Sequence, residues 1–115
     1  MEKVSRSDIN RINRYLNDLN QSNPKPNKEM DLNEVAKLMR RIGFEGPINT
    51  KRGPVKRFTH DLLKSHLTGG SFTIHIIHGK RKELIRYLDF KKYMLPNLRD
   101  VLSSLEERGL IKEDE

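Results

Sequence analysis

Cysteine and tryptophan are absent from the 115 residues of this sequence, and aromatic residues make up only 6% of it, which leaves few rings for stacking on nucleobases. Without cysteine the chain has no disulfide, no thiol nucleophile and no cysteine-based zinc site. No apolar run approaches the roughly 18 residues that a membrane-spanning helix needs. The N-terminus also lacks the apolar core of a secretion signal. We therefore expect a small cytoplasmic protein that does not enter a membrane.

Positive charge is what the sequence has in excess. Lysine and arginine number 23 against 16 acidic residues, and the formal net charge is +7. Residues 37–57 carry seven cations and one carboxylate, and residues 79–92 carry six cations and two carboxylates, so the remaining segments together are acidic. Such clustering is typical of a surface that binds a polyanion. The alternative is a charged surface that only keeps the protein in solution.

Three stretches place apolar residues at helical spacing. The first helix follows Ser7 or Asp8 as its N-cap, and its stripe is Ile9, Ile12, Leu16 and Leu19. Asp31 and Glu34 form a capping box that begins the second helix, and Gly43 ends it. The last helix is expected over residues 96–109, with Pro96 in its first turn.

Residues 71–90 read as a β-hairpin. Phe72, Ile74 and Ile76 alternate with polar residues, which predicts a strand over residues 71–78. Residues 79–82 would then form a tight connection, and residues 83–90 would form the return strand. The alternative for residues 83–90 is a helix that places Leu84, Ile85 and Leu88 on one face.

Residues 31–69 have the order of a helix-turn-helix unit. The helix that begins at Asp31 is followed by a glycine turn and a basic loop over residues 44–58. A short helix capped by Thr59 would come next and would end at Gly69-Gly70. We therefore predict one domain over residues 1–115, mainly α with one β-hairpin, in an α+β fold like a helix-turn-helix or a winged helix.

This segment resembles the DNA-binding segment that follows the catalytic domain of large serine recombinases. That family has a helix of the type I-A-x-x-L-N-x-x-G-I, then T-x-x-G, then an aromatic residue with Ser or Thr before a closing helix. The matching positions within residues 31–68 are Val35-Ala36, Leu38, Gly43-Phe44, Thr50, Arg52, Gly53, Phe58-Thr59, Leu63 and Leu67. The chain departs from the pattern by an insertion over residues 45–47 and by its lack of tryptophan. The match includes none of the catalytic domain, so the resemblance implies DNA binding and not strand cleavage.

Charge and resemblance together predict a protein that reads the sequence of double-stranded DNA, as a transcriptional regulator or as an accessory factor of a mobile element. In a helix-turn-helix the second helix enters the major groove. The side chains expected to face base edges are Thr59, His60, Asp61, Lys64 and Ser65. The phosphate contacts are expected from Arg40, Arg41, Lys51, Arg52, Lys56, Arg57, Lys80, Arg81 and Lys82.

The last helix carries an apolar stripe of Leu98, Val101, Leu102 and Leu105. Such a stripe is most often core, but a narrow leucine seam also suits a helix–helix homodimer. A dimer would bind two half-sites and gain affinity from both.

No residue pattern predicts catalysis, a cofactor or a metal. The tripeptide Asp89-Phe90-Lys91 resembles part of a nuclease motif, but its only candidate partner carboxylate, Asp61, lies on a predicted helix. His75 and His78 would point to opposite faces of a strand, so they make a poor ligand pair. We expect a protein that is not an enzyme. The alternative functions are an adaptor whose basic face binds an acidic protein and an RNA-binding module.

Overall fold

The computed structural model describes residues 1–63 and 70–113, which form helices and three small β-sheets around one core. The elements are β1 (Val4–Ser5), α1 (Arg6–Gln21), β2 (Glu29–Asp31), α2 (Leu32–Arg41), β3 (Glu45–Asn49), β4 (Val55–Thr59), β5 (Ser71–His75), β6 (Ile77–His78), β7 (Glu83–Arg86), α3 (Tyr87–Asp89), a π-helix (Phe90–Met94), α4 (Leu95–Glu107) and β8 (Ile111–Lys112). The strand orders are β1–β8, β2–β7–β6 and β3–β4–β5.

The first two helices form where the sequence predicts them, but the predicted N-cap of α1 is wrong, because Ser5 caps the helix and Ser7 and Asp8 lie within it. The Ser5 hydroxyl caps α1 by accepting the Ser7 N–H. The Asp31 carboxylate caps α2 by accepting the N–H groups of Asn33 and Glu34, at 2.9 and 3.4 Å. Gly43 follows α2 with φ +103°, a conformation that glycine adopts without steric cost.

Residues 44–58 are not a loop, and this corrects the predicted fold. β3 and β4 form an antiparallel hairpin, and β5 adds a third strand beside β4. The strand β4 runs through Thr59, so no helix begins there. The helix-turn-helix and winged-helix predictions are therefore wrong. The physical reason is the period-2 pattern of β4, which buries Phe58 and exposes Arg57 although its flanks are rich in glycine and proline.

The predicted hairpin of residues 71–90 is correct in its turn and in part of each strand. β6 pairs with β7 across residues 79–82, and the Gly79 N–H donates to the Lys82 carbonyl at 2.9 Å. β5, however, pairs with β4, and the return strand ends at Arg86, where a helical segment begins. Strand and helix interpretations of residues 83–90 thus each hold for one half.

Helical backbone runs from Tyr87 to Glu107 with a widened turn inside it. The Leu95 N–H donates to the Phe90 carbonyl, five residues back, immediately before Pro96. In a regular α-helix the Pro96 ring would clash with the carbonyl four residues earlier, and the wider turn relieves that clash.

The apolar stripe of the last helix lies in the core. Leu98, Val101 and Leu105 have no exposed surface, so they are not available as the predicted dimer seam. The chain then extends into β8, which pairs in parallel with β1. Across residues 1–63 and 70–113, no helix has the length and apolar character needed to cross a bilayer.

Candidate nucleic-acid interface

Two basic hairpin turns lie near each other because the turn end of the first hairpin contacts the second hairpin. Residues 50–54 form the first basic turn, between β3 and β4, and residues 79–82 form the second, between β6 and β7. The Ile76 N–H, at the start of the second hairpin, donates to the Pro54 carbonyl at 2.7 Å. Lys56 Nζ lies 3.4 Å from Glu83 Oε2 and links the same two hairpins. The fold thus joins the two cation-rich stretches of the sequence.

The first basic turn is held by its own hydrogen bonds and leaves its cations free. The Thr50 hydroxyl donates to the Val55 carbonyl at 2.7 Å and accepts the Arg52 N–H at 3.2 Å. The side chains of Lys51 and Arg52 are exposed, and neither forms an ion pair with any residue that the structure describes.

The second basic turn carries three exposed cations, Lys80, Arg81 and Lys82. Lys82 Nζ lies 3.8 Å from Asp31 Oδ2, and its side chain remains 57% exposed. An exposed pair at this distance contributes little, since water screens it. The two turns therefore present five cations to solvent.

Lys56 is not part of this exposed set. Its side chain is only 14% exposed, and it bonds the Asn49 side chain in addition to its ion pair with Glu83. Lys56 lies on the face of β4 that also carries Phe58, the buried face of the sheet. Its role is to join the two hairpins rather than to contact a phosphate.

The outer face of the β3–β4–β5 sheet carries Arg57 at its centre. Arg57 lies opposite Ile48 on β3 and opposite Thr73 on β5. His75 is two residues along β5, and Arg57, Thr73 and His75 are all exposed. The other face buries Phe72 and Phe58, whose rings stack with centroids 5.5 Å apart, together with Ile74.

Arg40 and Arg41 lie away from the two turns. Arg40 Nη1 donates to the Gly46 carbonyl at 2.9 Å, near the end of the β3–β4 hairpin that is opposite its turn. Arg41 Nη1 lies 3.6 Å from Asp8 Oδ1 on α1. The residues predicted to contact phosphates therefore do not form one surface, because these two arginines lie apart from the five turn cations.

His60 is a core residue and not a base-reading one. It is 4% exposed, and its Nε2 donates to the Ile42 carbonyl at 2.8 Å while its Nδ1 accepts the Leu62 N–H at 3.0 Å. Burial lowers the pKa of His60, although the hydrogen bond to Ile42 acts in the opposite direction. The ring is therefore neutral, with both nitrogens satisfied.

The rest of the predicted reading helix is not formed by the described residues. Thr59 is half-buried at the end of β4, and Asp61 is exposed in a turn. Lys64 and Ser65 lie outside the described residues. Sequence reasoning missed Thr73 and His75, although their alternation with Phe72 and Ile74 already placed them on the polar face of a strand.

Comparisons with protein-family models, with curated proteins and with solved structures find no match for this chain. The geometry defines a basic α+β protein with two adjacent cationic hairpin turns beside an exposed sheet face.

Proposed function

We propose that the protein binds double-stranded DNA, with the two basic turns on the phosphate backbone. The observation that carries this proposal is the contact between the turn end of the β3–β4 hairpin and the β6–β7 hairpin, through Pro54 and Ile76 and through Lys56 and Glu83. Because of it, cations 30 positions apart in sequence act as one surface.

The small number of ion pairs that the turn cations make supports a phosphate ligand. Lys51 and Arg52 make no ion pair within the described part of the chain, and the Lys82 pair is long and exposed. Binding phosphates would therefore break almost no internal contact. Most of the gain would come from the release of counterions from the duplex, so affinity should fall steeply with salt.

The salt dependence gives the test. Duplex affinity is measured against salt concentration for the full chain and for two double variants, Lys51→Ala with Arg52→Ala and Lys80→Ala with Arg81→Ala. Each lost phosphate contact lowers the slope of log affinity against log salt by about 0.9, so each double variant should lose about 1.8. Both should weaken binding to all duplex sequences alike.

The matched control removes two exposed arginines, one in α4 and one immediately after it, Arg99→Ala with Arg108→Ala. Arg99 lines one pocket with Asn13 and Asn17 of α1, whereas Lys82 lines a different pocket with Tyr15 and Asp18 of the same helix. The control changes net charge equally and should keep most of the slope. If both turn variants retain the parent affinity and slope, the proposal is wrong.

Polyglutamate distinguishes a duplex from a generic acidic partner. It offers negative charge without the phosphate spacing of a double helix, so it should compete poorly at equal charge concentration. Competition by polyglutamate as strong as that by duplex DNA would favour an acidic protein as the partner and would contradict the proposal.

A further inference from the structure

The proposed phosphate contacts of the two turns do not involve the exposed side chains at the centre of the β3–β4–β5 sheet. We name Arg57, Thr73 and His75 the reading face. Arg57 and Thr73 are directly opposite each other, and His75 is opposite Val55 in the next pair on the same face. All three side chains belong to two adjacent strands, β4 and β5.

The spacing of the reading face matches stacked base pairs. Opposite side chains on an antiparallel pair are about 5 Å apart, and residues two apart on one strand are about 6.8 Å apart. Base pairs stack at about 3.4 Å per step. The three side chains therefore span about two to three base pairs.

The guanidinium of Arg57 is free to recognise a ligand. Within the described residues it forms no ion pair, and its neighbours on the same face, Ile48 opposite it on β3 and Val55 two residues earlier on β4, are half-buried apolar residues. A planar fork on an apolar support is suited to bidentate hydrogen bonding. In the major groove, the base edge that matches this fork is guanine O6 and N7.

We infer that the reading face enters the major groove of duplex DNA and that Arg57 selects a guanine there, with Thr73 and His75 contacting adjacent base pairs. The inference rests on the proposed function, since the basic turns hold the duplex. The three strands β3, β4 and β5 are about 4.8 Å apart, so the sheet is about 9.6 Å across, which fits the major groove, about 12 Å wide, and exceeds the minor groove, about 6 Å wide. The A-form major groove of RNA is too narrow to read in this way.

The test selects bound sequences from a random duplex pool with the full chain and with Arg57→Lys. The lysine variant keeps the charge and loses the fork. The parent should enrich a motif that contains guanine. Arg57→Lys should lose preference at one position by roughly 5- to 150-fold, with nonspecific affinity nearly unchanged. Thr73→Ala and His75→Ala should relax the neighbouring positions.

The controls separate this inference from the proposed function. Arg99→Lys, an exposed change on α4, should leave the motif intact. If the parent binds duplexes with the expected salt slope but enriches no motif, or if the motif survives Arg57→Lys, the inference is wrong while the phosphate contacts stand. Equal affinity for an A-form RNA duplex of the selected sequence would also overturn it. If the parent binds no duplex, the proposed function itself fails.

Discussion

His60 joins its own segment to the residues that follow α2. Its ring bonds the Ile42 carbonyl just after α2 and the Leu62 N–H, and it contacts the Phe44 ring edge-on at a centroid distance of 4.7 Å. Gly43 lies so close that a Cβ there would be 2.8 Å from His60 Nε2. A protonated ring would lose the Leu62 hydrogen bond, because Nδ1 is the acceptor in it.

The neutral state of His60 predicts a loss of stability in acid. The unfolded ring binds a proton below about pH 6.5, whereas the folded ring, with its lowered pKa, stays neutral to lower pH. The unfolded state therefore binds more protons in that window, and the free energy of unfolding falls as pH falls through it.

Denaturant unfolding of the parent and of His60→Gln, at about pH 7.5 and about pH 5.5, measures this contribution. We expect His60→Gln to be less stable by about 1–3 kcal/mol at the higher pH, because a buried partner is lost. It should lose less stability than the parent on acidification. An equal loss in both proteins would show that His60 does not titrate in this way.

At the scale of elements, the sequence predicts those whose signal is local. The N-cap at Asp31 and the stop at Gly43 define α2, and the connection over residues 79–82 is also correct. The β3–β4 hairpin is missed because Gly46, Pro47, Gly53 and Pro54 read as loop. Pairing partners are missed because β5 selects β4 by packing Phe72 against Phe58, a contact that no local pattern encodes.

The candidate site divides in the same way. The exposed cations of the two turns follow from sequence, since Lys51, Arg52 and residues 80–82 lie in turns under either fold. The internal role of Lys56 and the burial of His60 do not, because both depend on contacts with distant segments. The sequence shows where the cations are, but only the fold shows which of them are exposed and which are held by internal contacts.

The alternation of buried and exposed side chains along β4 predicts that substitutions at neighbouring positions change stability by very different amounts. Phe58→Ala removes a fully buried ring and should cost about 3–5 kcal/mol of unfolding free energy. Arg57→Ala, on the exposed face, should change stability by less than about 0.5 kcal/mol. Denaturant midpoints of the two variants give the comparison, and similar values would contradict the strand assignment.

At the scale of the whole molecule, the two ends of the described chain are joined. β1 and β8 pair in parallel, and the Val4 N–H donates to the Leu110 carbonyl at 2.9 Å. Arg6 bonds both Glu106 and Glu113, which lie 100 and 107 positions away. Hydrogen bonding to Arg6 lowers the pKa of Glu106. Since both carboxylates are exposed and Arg6 is only half-buried, we expect these pairs to hold the ends in register rather than to set global stability.

Hydrogen exchange tests this role of Arg6. Arg6→Ala should speed exchange of the Val4 amide by roughly two- to fivefold, because the β1–β8 pair opens more often without its ion pairs. Amides of the core helix α4 around Leu98 should be unaffected. Arg14→Ala, another exposed arginine on α1, serves as the control. Unchanged exchange at Val4 in Arg6→Ala would show that the backbone pairing alone holds the ends.

The pairing of β1 with β8 also sets an order of events during synthesis. The segment that leaves the ribosome early must wait for a partner made more than 100 residues later, since Arg6 and Glu113 are 107 positions apart. Helices α1 and α2, whose capping signals are local, are free to form in the meantime. Until residues 111–112 have been made, β1 has no partner strand, and the β1–β8 sheet can form only after they emerge.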